Sequence, residues 1–401
     1  MATFNVSTID DLIAKIKLAN TNGQDDEIIL AAGTYDISAY SGTRDNDFKS
    51  PSGVLTVTNG LPVIKTNIIT RNGTIGYRLF HVAASATLTL RKLTLSKGNV
   101  GVQDVGGGAV EVLGTAVIED CRLGPDNKSN YGGAIVNDGT VTIRRCDIFN
   151  NQADWGGGIY NYNQGVMRIY DSRIASNTND GGLYYAGGVY NSNDLVIDHC
   201  CIVDNTANVG GGVMSNRATA QTTIRRSIIS RNNAYEGAGV YSGSGPMNLE
   251  DCTLVDNTGS YGRVAYRKDV QAITLTRCHL PDNYITATDR RQSPSDLLNV
   301  VNQNPLPAWR PNFTMISDGA GGLTPAYQYN RQEAANRAIA LSRENFITFP
   351  NSDAASVVGK IENGPISRGR DYATVLTHKP GKTGSSIFIS DASLRRTSDD
   401  D

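Results

Sequence analysis

Ile143-Arg144-Arg145-Cys146-Asp147-Ile148-Phe149-Asn150-Asn151 returns as Ile169-Tyr170-Asp171-Ser172-Arg173-Ile174-Ala175-Ser176-Asn177, and again as Ile197-Asp198-His199-Cys200-Cys201-Ile202-Val203-Asp204-Asn205. The shared phrase is aliphatic-x-x-(Cys/Ser)-x-aliphatic-x-x-Asn. Working outward, it recurs roughly every 25–28 residues from Ala86 to His279. Its first aliphatic column runs Leu90, Ile118, Ile143, Ile169, Ile197, Ile224, Leu249, Leu275, and its second runs from Leu95 and Leu123 to Leu254 and Leu280. Between them lie Leu93, Cys121, Cys146, Ser172, Cys200, Ser227, Cys252 and Cys278, and three residues past the second aliphatic come Gly98, Asp126, Asn151, Asn177, Asn205, Asn232, Asn257 and Asn283. A second phrase of small residues leads into another aliphatic, as in Gly132-Gly133-Ala134-Ile135, Gly156-Gly157-Gly158-Ile159 and Gly210-Gly211-Gly212-Val213. The phrases are short, alternating and β-branched, and the spacing leaves no room for a helix, so each repeat reads as one coil of short strands. The architecture that stacks such coils is an all-β solenoid, the parallel β-helix, in which like residues sit above one another as interior ladders about 4.8 Å apart. The Asn column is expected at a tight corner, where Asn accepts left-handed backbone and its amide bonds to neighbouring coils.

The alternation of a Gly-Gly-Ala-Ile phrase with an Ile-x-x-Asn phrase resembles the repeats of chlamydial polymorphic outer membrane proteins and of the wider right-handed parallel β-helix group. The opening, Thr3-Phe4-Asn5-Val6 through Leu12-Ile13 to Ile28-Ile29-Leu30-Ala31-Ala32-Gly33-Thr34-Tyr35, resembles the N-terminal segment of bacterial β-helix proteins with a secretion-associated CSLREA region. The resemblance covers about residues 3 to 284 and implies a right-handed parallel β-helix. Its functional implication is broad, since this group includes adhesins, lyases, phage spikes and scaffolds.

Three regions follow. Residues 1–53 read as an N-terminal cap and loop, with Ser7 capping a helix whose Ile9, Leu12, Ile13 and Ile16 share a face. That face would close the first coil and block edge-to-edge aggregation. Residues 41–53 read as a loop, with strands resuming at Val54 to Val57, Pro62 to Thr70 and Tyr77 to Val82. Residues 54–284 are the β-helix. Residues 285–401 are a non-repeat extension with a helix from Ser293 or Ser295 over Leu297, Leu298, Val300 and Val301, a second from Asn330 to about Glu344, and a hairpin of Tyr372 to Thr377 with Ser385 to Ser390. The extension reads either as a cap with a tail or as a docking region for a partner.

The chain of 401 residues carries a net charge of −2 with mixed signs, which gives no electrostatic footprint for nucleic acid or an anionic membrane. No apolar run is long enough to span a bilayer. The start at Met1-Ala2-Thr3-Phe4 lacks the basic and then apolar stretch of a secretory signal. It suggests a cytoplasmic chain within a complex, a leaderless route to the cell surface, or the mature form of an exported protein. Five of the six cysteines fall in the interior column, with Cys201 beside one of them, and are expected to be reduced thiols acting as small hydrophobes.

The column two residues after the first aliphatic, Asp120, Arg145, Asp171, His199, Arg226, Asp251 and Arg277, alternates in sign along most of its length and predicts a ladder of inter-coil ion pairs, each worth up to about 1 kcal/mol if exposed. A catalytic alternative gathers Asp171, Asp198, His199 and Arg226 around one site for a polysaccharide lyase or glycoside hydrolase. The four histidines, His81, His199, His279 and His378, show no metal-ligand spacing, and no bound cofactor is implied. Aromatic residues offer the other surface signal. Tyr131, Trp155, Tyr185, Tyr235 and Tyr261 precede the second aliphatic phrase, and Tyr160, Tyr190 and Tyr241 follow its aliphatic. In register they would form an exposed ledge for a protein partner or a glycan, or stack on one another between coils. The resulting expectation is a non-catalytic rod, a scaffold, linker or surface adhesin held by a protein partner in a larger assembly. A glycan-cleaving enzyme and a phage-type receptor-binding spike are the alternatives.

Overall fold

The computed structural model describes residues 2–22, 24–39, 47–48, 54–59, 67–71, 78–100, 106–179, 185–260, 262–267, 273–276 and 278. It also describes the strands Val300–Gln303, Met315–Ser317, Leu323–Pro325, Glu344–Ile347, Ile387–Ser390 and Ser393–Arg395. The repeat folds into a parallel β-helix. Each coil from Phe80 to Val255 contributes one strand to each of three long sheets. Sheet 1 has 12 strands, among them Thr115–Glu119, Thr140–Arg144, Val166–Tyr170, Asp194–Asp198 and Gln221–Arg225. Sheet 2 has 9, including Arg122–Leu123, Asp147–Phe149, Arg173–Ala175, Cys201–Val203, Ile228–Ser230 and Thr253–Val255. Sheet 3 also has 9, including Ile135–Asn137, Ile159–Asn161, Val189–Asn191, Val213–Ser215 and Val240–Ser242. Between sheets 2 and 3 a corner sheet of 5 strands holds Lys128–Tyr131, Gln152–Trp155, Thr178–Asn179, Thr206–Val209 and Asn233–Glu236.

The ladders take the register that the repeat dictates. Ile118, Ile143, Ile169, Ile197, Ile224, Leu249 and Leu275 are successive partners in sheet 1, and all are buried. Each such side chain is worth roughly 1.5–3 kcal/mol on burial, while ordering its coil costs about 1–2 kcal/mol per residue. A coil therefore persists only through its neighbours.

The cap forms as a helix, with one correction. Helix α1 (Ile9–Asn22) buries Leu12, Ile13, Ile16 and Ala19 against the same core as Val6 and Leu30. Its cap is Thr8, whose hydroxyl accepts from the Asp11 amide at 3.1 Å, and not Ser7. Ser7 lies one residue too early to reach the free amides of the first turn. Strand Ala2–Val6 starts sheet 1 beside Asp26–Leu30. Within the expected loop 41–53, Asp47–Phe48 is a strand paired with His81 and Val82, and the rest lies outside the described residues.

Two expectations for the extension are corrected. Val300 and Val301, expected in a helix, lie in strand Val300–Gln303, which pairs with Ile273–Thr276 and extends sheet 1. Two consecutive β-branched residues suit a strand, and an open sheet edge is at hand. Strand Ile387–Ser390 pairs antiparallel with Glu344–Ile347 and Ser393–Arg395, while its expected partner at Tyr372 to Thr377 lies outside the described residues. The helix expected from Asn330 also lies outside them, except that Glu344 begins a strand.

Candidate functional site

Two lateral features carry the chemistry-bearing side chains, and both arise from how a coil turns. At the corner from sheet 1 to sheet 2, Asp120, Arg145, Asp171, His199, Arg226 and Asp251 all have left-handed backbone, with φ between 46° and 58°. The next corner repeats the device at Asp126, Asn150, Ser176, Asp204, Arg231 and Asp256. The left-handed residue is thus the one before the Asn column, a correction to the expected placement. The asparagine points inward, where Asn177 Nδ2 donates to Asn205 Oδ1 at 3.0 Å and to the Ile148 carbonyl at 2.9 Å. In the coil that begins this ladder, Asn127 and not Asp126 holds the slot, donating to Asn151 Oδ1 at 2.9 Å.

The charged column forms inter-coil pairs, and most of their side chains are half-buried. Arg145 Nε donates to Asp120 at 2.6 Å, and His199 Nδ1 stands 2.9 Å from Asp171 Oδ1. Arg226 pairs with Asp198, on the strand, through Nε at 2.9 Å and through a second Nη2 contact. The candidates Asp171, Asp198, His199 and Arg226 therefore come together as two adjacent pairs. The His199 side chain is only 1% exposed. The cause is the corner itself, which folds each side chain onto the coil beside it. Sequence reasoning missed a stronger pair in sheet 2, where Arg173 holds Asp147 at 2.7 and 2.8 Å and the Asp147 side chain is fully buried. Among the described residues no group of three His, Cys, Asp or Glu could hold a metal ion.

The aromatic residues do not form the expected open ledge. Tyr160, Tyr190 and Tyr241 project outward from sheet 3, yet they are buried in a second apolar cluster outside the lumen, with Val136, Ala186, Val209 and Met214. Corner-sheet residues cover them. Tyr131, Trp155, Tyr185 and Val209 are stacked partners one strand before sheet 3, and their side chains lean over it. Trp155 lies 4.7 Å from Tyr185 and 5.5 Å from Tyr190, Tyr131 stacks on Tyr160 at 5.4 Å, and Tyr160 meets Tyr190 edge-on at 4.7 Å. These are favourable aromatic geometries, each worth about 0.5–1.5 kcal/mol beyond burial. Burial pushes the Tyr160 and Tyr190 hydroxyls above the usual tyrosine range, and Asn216 donates to Tyr190 Oη at 2.8 Å. Glu236, not Tyr235, follows Val209 in the corner sheet, so Tyr235 alternates outward and is exposed. Tyr261 lies outside the described residues.

The outward column of sheet 3 begins with a cluster that sequence reasoning missed. Glu111, 8% exposed, meets Arg78 at 2.5 Å and His81 Nδ1 at 2.7 Å. Its signal was the two-residue alternation that also sets Val136 and Tyr160 outward. All six cysteines are free and buried. Cys146 and Cys200 point their thiols at backbone carbonyls, and burial raises both well above the usual thiol range.

A family described as the right-handed beta helix region matches residues 80–283, just over half of the chain. The chain belongs to this family. Its span coincides with the coils that hold both lateral features. No curated protein and no solved structure matches this β-helix protein. Membership carries the fold, and this architecture also occurs in glycan-acting enzymes, so the activity must be argued from the site.

Proposed function

We propose that the protein is a non-catalytic rod, a scaffold, linker or surface adhesin that offers a lateral face to a protein partner. The observation that carries this reading is the use made of the lateral charges. Asp120, Asp147, Asp171, Asp198 and Asp204 each face an arginine or histidine one coil away. They brace the stack, whereas glycan hydrolysis needs two carboxyl groups facing a substrate across an open groove. The partner surface is the rim of the aromatic face, where Tyr131, Trp155 and Tyr185 are half-buried and Tyr235 is exposed. Rigid aromatic rings held in place by their neighbours make good interface anchors. The likeness of the repeat phrases to polymorphic outer membrane proteins, and of the N-terminus to CSLREA-type proteins, supports the adhesin form. Six free thiols support a scaffold in a reducing compartment.

The test is gentle purification of the full chain from its native source after cross-linking, beside the triple variant Tyr131→Ser, Trp155→Ser, Tyr185→Ser. A defined complex with the unmodified chain, lost in a variant that stays folded, is the expected result. Oligosaccharide release from a polysaccharide panel that disappears in His199→Ala would overturn the reading in favour of a lyase or glycosidase.

A further inference from the structure

The cysteines of the lumen column are not spread evenly. Successive rungs at the corner from sheet 1 to sheet 2 are Leu93, Cys121, Cys146, Ser172, Cys200, Ser227, Cys252 and Cys278. Cys121 and Cys146 are therefore neighbours in the stack, as are Cys252 and Cys278, whereas Cys200 lies between two serines. The Cys200 amide donates to Ser227 Oγ at 3.0 Å, and the Cys146 amide donates to Ser172 Oγ at 3.0 Å. Cys201 stands apart from the column. It is a register partner of Arg173 and Ile228 on sheet 2, where strand alternation turns it outward while Ile202 enters the lumen core.

Stacking brings each neighbouring pair within reach of a disulfide. Glu119 pairs with Arg144 and Arg122 with Asp147, so Cys121 and Cys146 lie opposite each other at the turn. Glu250 pairs with Thr276, which sets Cys252 opposite Cys278 two residues later. Adjacent strands are about 4.8 Å apart, and a disulfide joins Cα atoms roughly 4.4–6.8 Å apart. The side chains are aimed to match. Cys146 Sγ accepts the Cys121 amide at 3.4 Å, and within each pair the two thiols hydrogen-bond to each other. The earlier thiol of each pair also donates to a carbonyl of the coil before it, Cys121 to Leu90 and Cys252 to Ile224, both at 3.5 Å. Such sulfur contacts are weak, and a χ1 rotation between staggered wells exchanges them for a bond to the partner sulfur.

We infer that Cys121 with Cys146, and Cys252 with Cys278, are two disulfide sites that close when the chain folds in the presence of a small disulfide such as oxidised glutathione. At each site two S–H bonds break and one S–S bond forms. Both protons and two electrons pass to the glutathione disulfide, which leaves as two thiols. The reaction belongs to folding and not to the finished rod, because exchange needs an accessible thiolate. In the closed stack, burial pushes the Cys146 and Cys252 thiols well above the usual range. Each bridge ties one coil to the next and leaves the partner face on sheet 3 untouched.

The experiment uses the full chain, unfolded in urea with dithiothreitol and refolded in mixed oxidised and reduced glutathione. Alkylation in denaturant and peptide mapping then locate the bridges. Cys121 should be joined to Cys146 and Cys252 to Cys278, with Cys200 and Cys201 alkylated, and the urea midpoint should exceed that of the chain refolded with dithiothreitol alone. Cys146→Ser should lose the first bridge only and leave Cys121 alkylated. Six alkylated thiols, a bridge through Cys200 or Cys201, or a bridged chain with a lower midpoint than the reduced one overturns the inference. The same mapping on chain expressed into an oxidising compartment gives the answer where refolding fails.

Discussion

From Cys121 onward the inward residue at the corner from sheet 1 to sheet 2 is cysteine or serine; at the next corner, from Asn127 to Asn257, it is asparagine. The Ser172 hydroxyl donates to the Tyr170 carbonyl at 2.7 Å and accepts the Cys146 amide at 3.0 Å. Asn177 does more. It donates forward to Asn205 and back to Ile148, and it accepts the amide and the Nδ2 of Asn151 at 3.1 and 2.9 Å. Two bonds of modest geometry can be supplied by a thiol or a hydroxyl, so that column varies. Four bonds require two N–H donors and an oxygen that accepts twice in one side chain, which an amide supplies and a hydroxyl does not, so the second column is Asn from Asn127 to Asn257. A column is as variable as its least demanding hydrogen bond permits.

Breaking the stricter corner should have the largest effect. Asn205→Leu strands the Ile174 carbonyl and the Asn177 and Asn232 amide groups inside the rod, and should lower stability by roughly 3–5 kcal/mol, since each buried orphan costs about 1–3. Urea unfolding would measure this, and hydrogen exchange should show several coils opening together. Outside the corner, Asp198→Asn weakens the Arg226 pair and should cost about 1 kcal/mol, more at low salt than at high salt. The permissive corner should barely respond: Cys200→Ser places at one rung the hydroxyl that Ser172 and Ser227 already use, and the change should stay within about 1 kcal/mol.

The smallest effect at neutral pH concerns Cys201, which is buried on the outer face. Burial raises its pKa from 9.0 to about 12, so folding favours the neutral thiol. That contribution is complete below pH 9 and is lost as pH rises toward about 12. Cys201→Ala should therefore lose less stability between those values than the unmodified chain, as read from urea midpoints. A steeper alkaline loss in the variant would contradict the burial.

The fold was legible because coil stacking writes its columns into the chain at a fixed period. The left-handed position was not, because it holds Asp, Arg, His, Ser and Asn alike, and their shared property is a backbone angle. Asparagine was assigned that angle on its intrinsic tolerance, whereas its amide is needed inside. A second amide ladder, Asn137 to Asn161 to Asn191, is visible two residues after the aliphatic of three successive Gly-rich phrases. The burial of Tyr160 and Tyr190 could not be read from their own strands, since the cover comes from the preceding corner. That corner tilts its aromatics by an amount the two-residue alternation does not encode.

The forward-donating asparagines have a consequence for how such a molecule can change length. Each amide meets the same donor and acceptor on either side, so a coil in the middle of the stack does not register how many others there are. Duplicating or deleting one whole repeat leaves every junction of the amide ladder chemically unaltered. The rod is a ruler with graduations of about 4.8 Å, and its length can be reset one mark at a time.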